Sequence, residues 1–223
     1  MYTSNVWEQT IFDLIVQTST DLPPDVEKAV EAARRNEGAE SNAARALDVI
    51  LMNIAEARRA VRPLCQDTGT ILFWMEAPSD ASQTAFQEAA ENAVVRATEE
   101  GILRQNCVDT LTGNNTGNNL GMGSPHVEWI ETTSDNVTLS LILKGGGCEN
   151  VGAQYALPDT DLKAGRDLDG VRRCVLDAVW RAQGRGCAPG VVSVVAGGDR
   201  ATGYSESKRQ FLRRVGERHN DPE

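Results

Sequence analysis

Positive charge is scarce in this sequence. Lys and Arg number 22 against 32 Asp and Glu, a formal net charge of −10. Binding along a phosphate backbone needs clustered cations, so no nucleic-acid partner is expected. A small dianion can still be bound, because that depends on individual Arg and Lys side chains rather than on net charge. Long apolar runs are missing as well. No stretch approaches the roughly 20 apolar residues of a membrane span, and no membrane role is expected. Met1-Tyr2-Thr3-Ser4-Asn5 has neither a basic region nor an apolar run, so no signal peptide is expected. There is no CxxC pair, which argues against a zinc ribbon. There is no GxGxxG and no Walker sequence, so nucleotide binding has little support. Internal repeats and low-complexity segments are absent too.

What remains is an ordinary globular composition, 40% apolar and 24% charged over 223 residues. That length fits one large domain or two small ones. Five cysteines are scattered along it, at 65, 107, 148, 174 and 187. An odd count without a signal peptide argues against a disulfide framework and for a reducing, cytoplasmic setting. There, cysteines serve as core residues, catalytic thiols or metal ligands.

The first third reads as helix. Asp21 can cap a helix that begins at Pro23 or Pro24 and runs to about Asn36. A longer helix starts at Ser41 or Asn42, with Ala43, Ala44, Leu47, Ile50, Leu51, Ile54 and Ala55 at helical spacing, and Pro63 stops it. Thr70 to Met75 is a continuous apolar run and reads as a buried strand. Gln83 to Glu100 reads as helix. His126 to Thr132 and Val137 to Lys144 read as strands, joined into a hairpin by Ser134-Asp135-Asn136. Leu168 to Gln183 reads as helix, Val191 to Ala196 as strand, and Ser205 to Arg214 as helix. This order predicts an α+β fold: a helical N-terminal part, then a mainly antiparallel sheet flanked by helices.

Four irregular segments lie at the mouths of these elements, where loops position functional groups on rigid supports. Cys65-Gln66-Asp67-Thr68-Gly69 sets a thiol, an amide and a carboxylate in sequence; a helix-ending turn is the plainer reading. Leu103 to Asn106 and Asn114 to Gly121 are rich in Asn and Gly. Such a stretch can aim N–H groups at an anion, or be a long solvated loop. Lys144-Gly145-Gly146-Gly147 lets backbone approach a ligand, or simply turns. Gly184 to Gly190 places Cys187 just before Pro189, a pattern common near iron–sulfur ligands that a structural turn explains as well. After it, Gly197-Gly198-Asp199-Arg200 precedes a helix, a usual anion site.

Taken together and in order, Cys65-Gln66-Asp67-Thr68-Gly69, Asn115-Thr116-Gly117-Asn118-Asn119-Leu120-Gly121, Lys144-Gly145-Gly146-Gly147, Gly186-Cys187-Ala188-Pro189-Gly190 and Gly197-Gly198-Asp199-Arg200-Ala201-Thr202-Gly203-Tyr204 resemble class I fumarate hydratases. These are oxygen-sensitive [4Fe–4S] hydro-lyases; the α subunit of L-tartrate dehydratase is a close relative. The last of these segments is the more fumarase-like, while the Gly147-Cys148 step also occurs on the tartrate side.

The resemblance implies reversible hydration of fumarate to L-malate, a tricarboxylic acid cycle reaction. It implies Cys65 and Cys187 as ligands of a [4Fe–4S] cluster held by three cysteines, with the third ligand beyond residue 223. On that reading residues 1–223 are one α-type domain, truncated at its C-terminal end. The segment 216–223 would continue into further helix. Cys107, Cys148 and Cys174 match no ligand, and Cys174 is expected in the core. Gln66 and Asp67 would contact substrate, with Asp67 handling the proton on the hydroxyl side. Arg104 would bind a substrate carboxylate, and Gly146 and Gly147 would bring backbone close to it. The general base at carbon would come from a C-terminal or β-type domain or subunit, in a homo- or hetero-oligomer. The chain alone is expected to be inactive and without an intact cluster. Two other readings follow from the same residues: an L-tartrate or mesaconate-type dehydratase, and an inactive fragment or partner-binding subunit.

Overall fold

A computed structural model describes residues 4–219 of the chain. It divides into two compact units, residues 1–145 and 146–223, and the dividing point falls within the triple glycine. Asn220–Glu223, the end of the segment expected to continue as helix, lies outside the described residues.

The first unit begins with three helices: α1 (Ser4–Thr20), α2 (Pro24–Asn36) and α3 (Asn42–Ala60). Strand β1 (Thr70–Pro78), helix α4 (Gln83–Glu99) and strands β2 (His126–Thr132) and β3 (Thr138–Lys144) follow. Ser41 and Ser82 cap α3 and α4, each hydroxyl accepting from the N–H three residues on. Asp21 caps nothing. Pro23 holds the cap position of α2 without a side-chain bond. The Asp21 carboxylate instead pairs with Arg58 of α3 at 2.7 Å, and Arg58 also reaches Glu27 of α2 at 2.6 Å.

The sheet order is β2-β1-β3. Strand β1 pairs parallel with β2, Leu72 beside His126, and antiparallel with β3, Thr70 beside Lys144. The expected α+β class therefore holds, but the sheet is mixed and β2 and β3 form no hairpin, because β1 lies between them. Sequence pattern gives the reason. Strand β1 is apolar at consecutive positions, as suits a central strand buried on both faces, whereas β2 and β3 alternate like half-covered edges.

One face of the sheet carries the core. Ile71, Phe73, Met75 and Ala77 meet Trp7, Ile11, Phe12 and Ile15 of α1 and the alanine-rich face of α4. Phe86 lies at the centre, with edge-to-face contacts to Trp7, Phe73 and Trp129 at centroid distances of 5.6, 6.3 and 6.0 Å. This packing fixes the end of the sheet at which the candidate residues are displayed.

The second unit contains a short helix α5 (Gly146–Asn150), α6 (Leu168–Ala182) and α7 (Arg200–Arg209), which runs on into a 3-10 turn at Gln210–Leu212. Asp167 caps α6 and Asp199 caps α7. The helix expected from Ser205 to Arg214 thus begins five residues earlier, at the Asp199 cap. Val191–Ala196, read as a strand, has no strand pairing among the described residues. Its valines 191, 192, 194 and 195 are exposed. β-branched residues favour an extended chain, but a strand also needs a neighbour to pair with.

Candidate active site

Chain entering the Cys65 loop is held before it arrives. Leu64 N–H donates to Ser19 O at 2.8 Å, and Asn53 Nδ2 donates to Leu64 O at 2.9 Å. The buried Ser19 hydroxyl donates in turn to Ile102 O at 2.6 Å. The end of α1 therefore anchors both segments that lead into the candidate site. Past Leu64, Cys65 and Gln66 are exposed, Asp67 is half-buried and Thr68 is buried. The Cys65 sulfur accepts from the Asp67 N–H at 3.4 Å.

Gly69 closes the loop with φ of +74°. A Cβ there would lie 2.0 Å from Lys144 O, at the first rung of the β1–β3 pairing. A Cβ on Gly145 would come within 3.3 Å of Asp67 Oδ2. Within this unit, the glycine that lies against Asp67 is therefore Gly145.

Arg104 is exposed, but its main chain is pinned to the same loop. Its N–H donates to Thr68 Oγ1 at 3.1 Å, and that hydroxyl donates to Asn106 Oδ1 at 2.8 Å. Asn106 Oδ1 also accepts from Thr68 N–H at 3.1 Å and Gly69 N–H at 3.4 Å. The buried Asn119 completes the arrangement. Its Nδ2 donates to Arg104 O at 2.7 Å and to Thr98 Oγ1 of α4 at 2.9 Å. Its Oδ1 accepts from the N–H groups of Asn106 and Cys107 at 2.8 and 3.1 Å.

The Asn- and Gly-rich stretch is exposed along much of its length, as a solvated loop would be, but it is tied down at Asn119. It is an arch whose asparagine side chains hold residues 104–107. Asp109 tightens the tip: N–H and hydroxyl donors from Thr112 hold its carboxyl below the usual carboxylate range. Cys107 packs inside the arch, where a Cβ on Gly121 would lie 2.8 Å from its sulfur. Thr68, Asn106 and Asn119 were not singled out from the sequence as functional. The only signal was the density of Asn between a helix and a strand.

The remaining candidates belong to the second unit. Gly146 and Gly147 open α5, with Gly147 against the Arg185 carbonyl (3.7 Å to an ideal Cβ). Gly186, beside Cys187, lies against Val151 in the same way. The Cys187 loop and the start of α5 are therefore neighbours within this unit, and Cys187 is exposed. With its amide oxygen turned toward the guanidinium, Gln154 accepts from Arg200 Nη1 at 2.7 Å and Nε at 2.8 Å. Cys174 is buried in α6, as its helical position predicts, and burial pushes its thiol up.

Exposed thiols in glycine-containing loops suit thiolate ligation of iron, and N–H groups aimed at sulfur are one way a protein tunes such a centre. Cys65 has both features, and Cys187 has the first. Among the described residues no three His, Cys, Asp or Glu side chains gather as a metal-holding group. The exposed thiols of Cys65 and Cys187, each within its own unit, are chemically suited to ligate iron.

Comparison with known proteins identifies the family. The family model described as Fumarate hydratase (Fumerase) matches residues 8–223. The chain is 46% identical over 211 residues to "Putative fumarate hydratase class I" of Geobacillus stearothermophilus, covering 93% of this chain and 41% of that protein. It is 31% identical to "Putative L(+)-tartrate dehydratase subunit alpha" of Methanocaldococcus jannaschii, covering 96% of this chain and 74% of that one. It is 28% identical to the L(+)-tartrate dehydratase subunit alpha of Escherichia coli K12, covering 98% and 71%. The chain spans well under half the length of the first of these relatives and about three quarters of the other two. By a match over nearly all its residues, the chain belongs to the fumarate hydratase (Fumerase) family.

Proposed function

We propose that this chain is the iron–sulfur-bearing part of a hydro-lyase whose complete form interconverts fumarate and L-malate. One observation carries the reading. The buried Thr68 ties the Arg104 main chain to the loop of Cys65, Gln66 and Asp67, so guanidinium, thiol, amide and carboxylate come from one pinned backbone.

In this reading Arg104 binds one substrate carboxylate through its planar fork. Gln66 orients the substrate by its amide. Asp67 takes the proton from the adding water on the hydroxyl side and returns it in the reverse direction. Gly146 and Gly147 let main chain approach the bound acid. Cys65 and Cys187 would hold the [4Fe–4S] cluster together with a third cysteine from outside these residues. When bound, its open iron supplies a Lewis acid for the substrate oxygen. The group that gives a proton to carbon in hydration, and removes it in the reverse direction, comes from a β-type domain or subunit. The relatives' greater length supports such a partner, and a homo- or hetero-oligomer in a reducing cytoplasm is its expected setting.

A second reading, an L-tartrate dehydratase α subunit, has the support of relatives so named, 31% and 28% identical to this chain. Steady-state rates of the complete protein on fumarate, tartrate and mesaconate, prepared without air, separate the two. The expected result is fumarate hydration that disappears on exposure to air, with bound iron lost in Cys65→Ser and Cys187→Ser and kept in Cys174→Ser. An air-stable, iron-independent activity overturns the proposal. Near-normal iron in either ligand variant removes that cysteine from the ligand set.

A further inference from the structure

We infer that Asn106 is a positioning residue that sets the spacing between Arg104 and Asp67. The inference rests on the proposed reading of those two residues as carboxylate binder and proton handler. Asn106 lies two residues after Arg104, and its side chain is bound to the residue that follows Asp67. A carbonyl oxygen has two lone pairs, yet Asn106 Oδ1 receives three donors: Thr68 N–H, Thr68 Oγ1–H and Gly69 N–H.

The opposite end of Asn106 is equally fixed. Its own N–H donates to Asn119 Oδ1, and Asn119 is bound to α4 through Thr98. Thr98 is itself satisfied, its hydroxyl donating to Val94 O at 2.8 Å. A continuous line of bonds therefore runs from the rigid helix, through Asn119 and Asn106, to the loop beside Asp67. No sheet ladder includes residues 104–107, so these side-chain bonds, rather than strand pairing, fix the separation of the two functional groups. Catalytic groups displaced by about 1 Å can lose a hundredfold in rate, which makes this spacing a kinetic quantity as well as a structural one.

The role uses the acceptor oxygen. Asn106→Ala removes it and leaves a buried Thr68 N–H without its partner. Asn106→Asp keeps an acceptor of the same reach.

The test is steady-state kinetics on fumarate with the complete holoenzyme, prepared without air, for wild type, Asn106→Ala, Asn106→Asp, Arg104→Lys and the Asn106→Ala/Arg104→Lys double variant. Iron content and thermal midpoint are measured on each. Asn106→Ala is expected to lower kcat/KM by about 10- to 100-fold, and Asn106→Asp to restore most of that loss. In the Arg104→Lys background, Asn106→Ala should cost less than about threefold, because residues acting through one another are not additive. Equal losses in both backgrounds, or wild-type kinetics in Asn106→Ala, overturn the inference. If Asn106→Ala does not fold, Asn106→Ser keeps a polar side chain but withdraws the acceptor from Thr68 and Gly69 and should give the same non-additivity; additive losses there overturn it too. The two readings fail differently. An unimpaired Arg104→Lys removes the carboxylate assignment and this inference with it, whereas an impaired Arg104→Lys beside a silent Asn106→Ala removes only the role of Asn106.

Discussion

Gly69 and Gly113 both carry positive φ, +74° and +72°, but their surroundings differ. A Cβ on Gly113 meets nothing within 4 Å, while one on Gly69 would lie 2.0 Å from Lys144 O and 2.3 Å from its carbonyl carbon. Backbone in a strand pair cannot retreat without breaking the pair. Gly113→Ala should therefore cost only the left-handed penalty, about 1–2 kcal/mol. Gly69→Ala should cost more than about 3 kcal/mol, because steric overlap is added to it. Urea unfolding of both variants checks this, and similar losses for the two would contradict the close approach. In the sequence the two glycines look alike. What was legible at this scale was which side chains stand in sequence as candidates, Cys65 through Asp67. What was not legible was support from residues distant in sequence. Thr68 and Asn106 are 38 positions apart, and no local period encodes such a bond.

Helices were the most readable elements, since capping and period are both local. The bounds of α3 and α4 follow from Ser41, Ser82 and the apolar spacing. Strand partnership was less readable. A short Ser-Asp-Asn turn between two alternating strands suggests a hairpin, and only the unbroken apolar run of β1 hints that it belongs between them. The arch 104–121 has only isolated bridges, such as Val108 with Asn115, to betray it, and side-chain bonds supplement these few backbone bonds. That makes it separately breakable. Asn119→Ala would leave the Asn106 and Cys107 N–H groups without their partner and take from the Arg104 carbonyl its shorter bond. Each such loss costs about 1–3 kcal/mol when the group stays buried. In amide hydrogen exchange the Asn106 and Cys107 N–H groups should lose at least about tenfold in protection, while amides in β1 keep theirs. Equal loss across β1 would mean that the arch and the sheet open as one element.

Across the whole chain the two units are held by different forces, and conditions should therefore reach them differently. The first has a large apolar core built around Phe86. In the second, the buried apolar side chains among the described residues are Ala164 and Cys174, and polar contacts carry more of the order. Lys208 pairs with Glu149 at 2.5 Å. Asp177 receives the Tyr155 hydroxyl at 2.7 Å and pairs with Arg181 at 2.7 Å. Burial, then the bond to Asp177, pushes the Tyr155 phenol up to about 12 from its ordinary 10. The folded unit thus favours the protonated phenol. Its contribution to stability is fully present below pH 10 and is lost as pH rises through about 12. Alkaline titration should consequently loosen the second unit while the apolar core of the first persists. Tyr155→Phe should flatten the alkaline limb, at the cost of a lower stability near neutral pH where the hydroxyl bond is missing. Thermal melts at neutral and strongly alkaline pH, with tyrosinate absorbance followed in parallel, test this in the wild type and the variant. A Tyr155 that ionises near 10, or an alkaline limb unchanged in Tyr155→Phe, would show that the Tyr155–Asp177 contact does not govern the response.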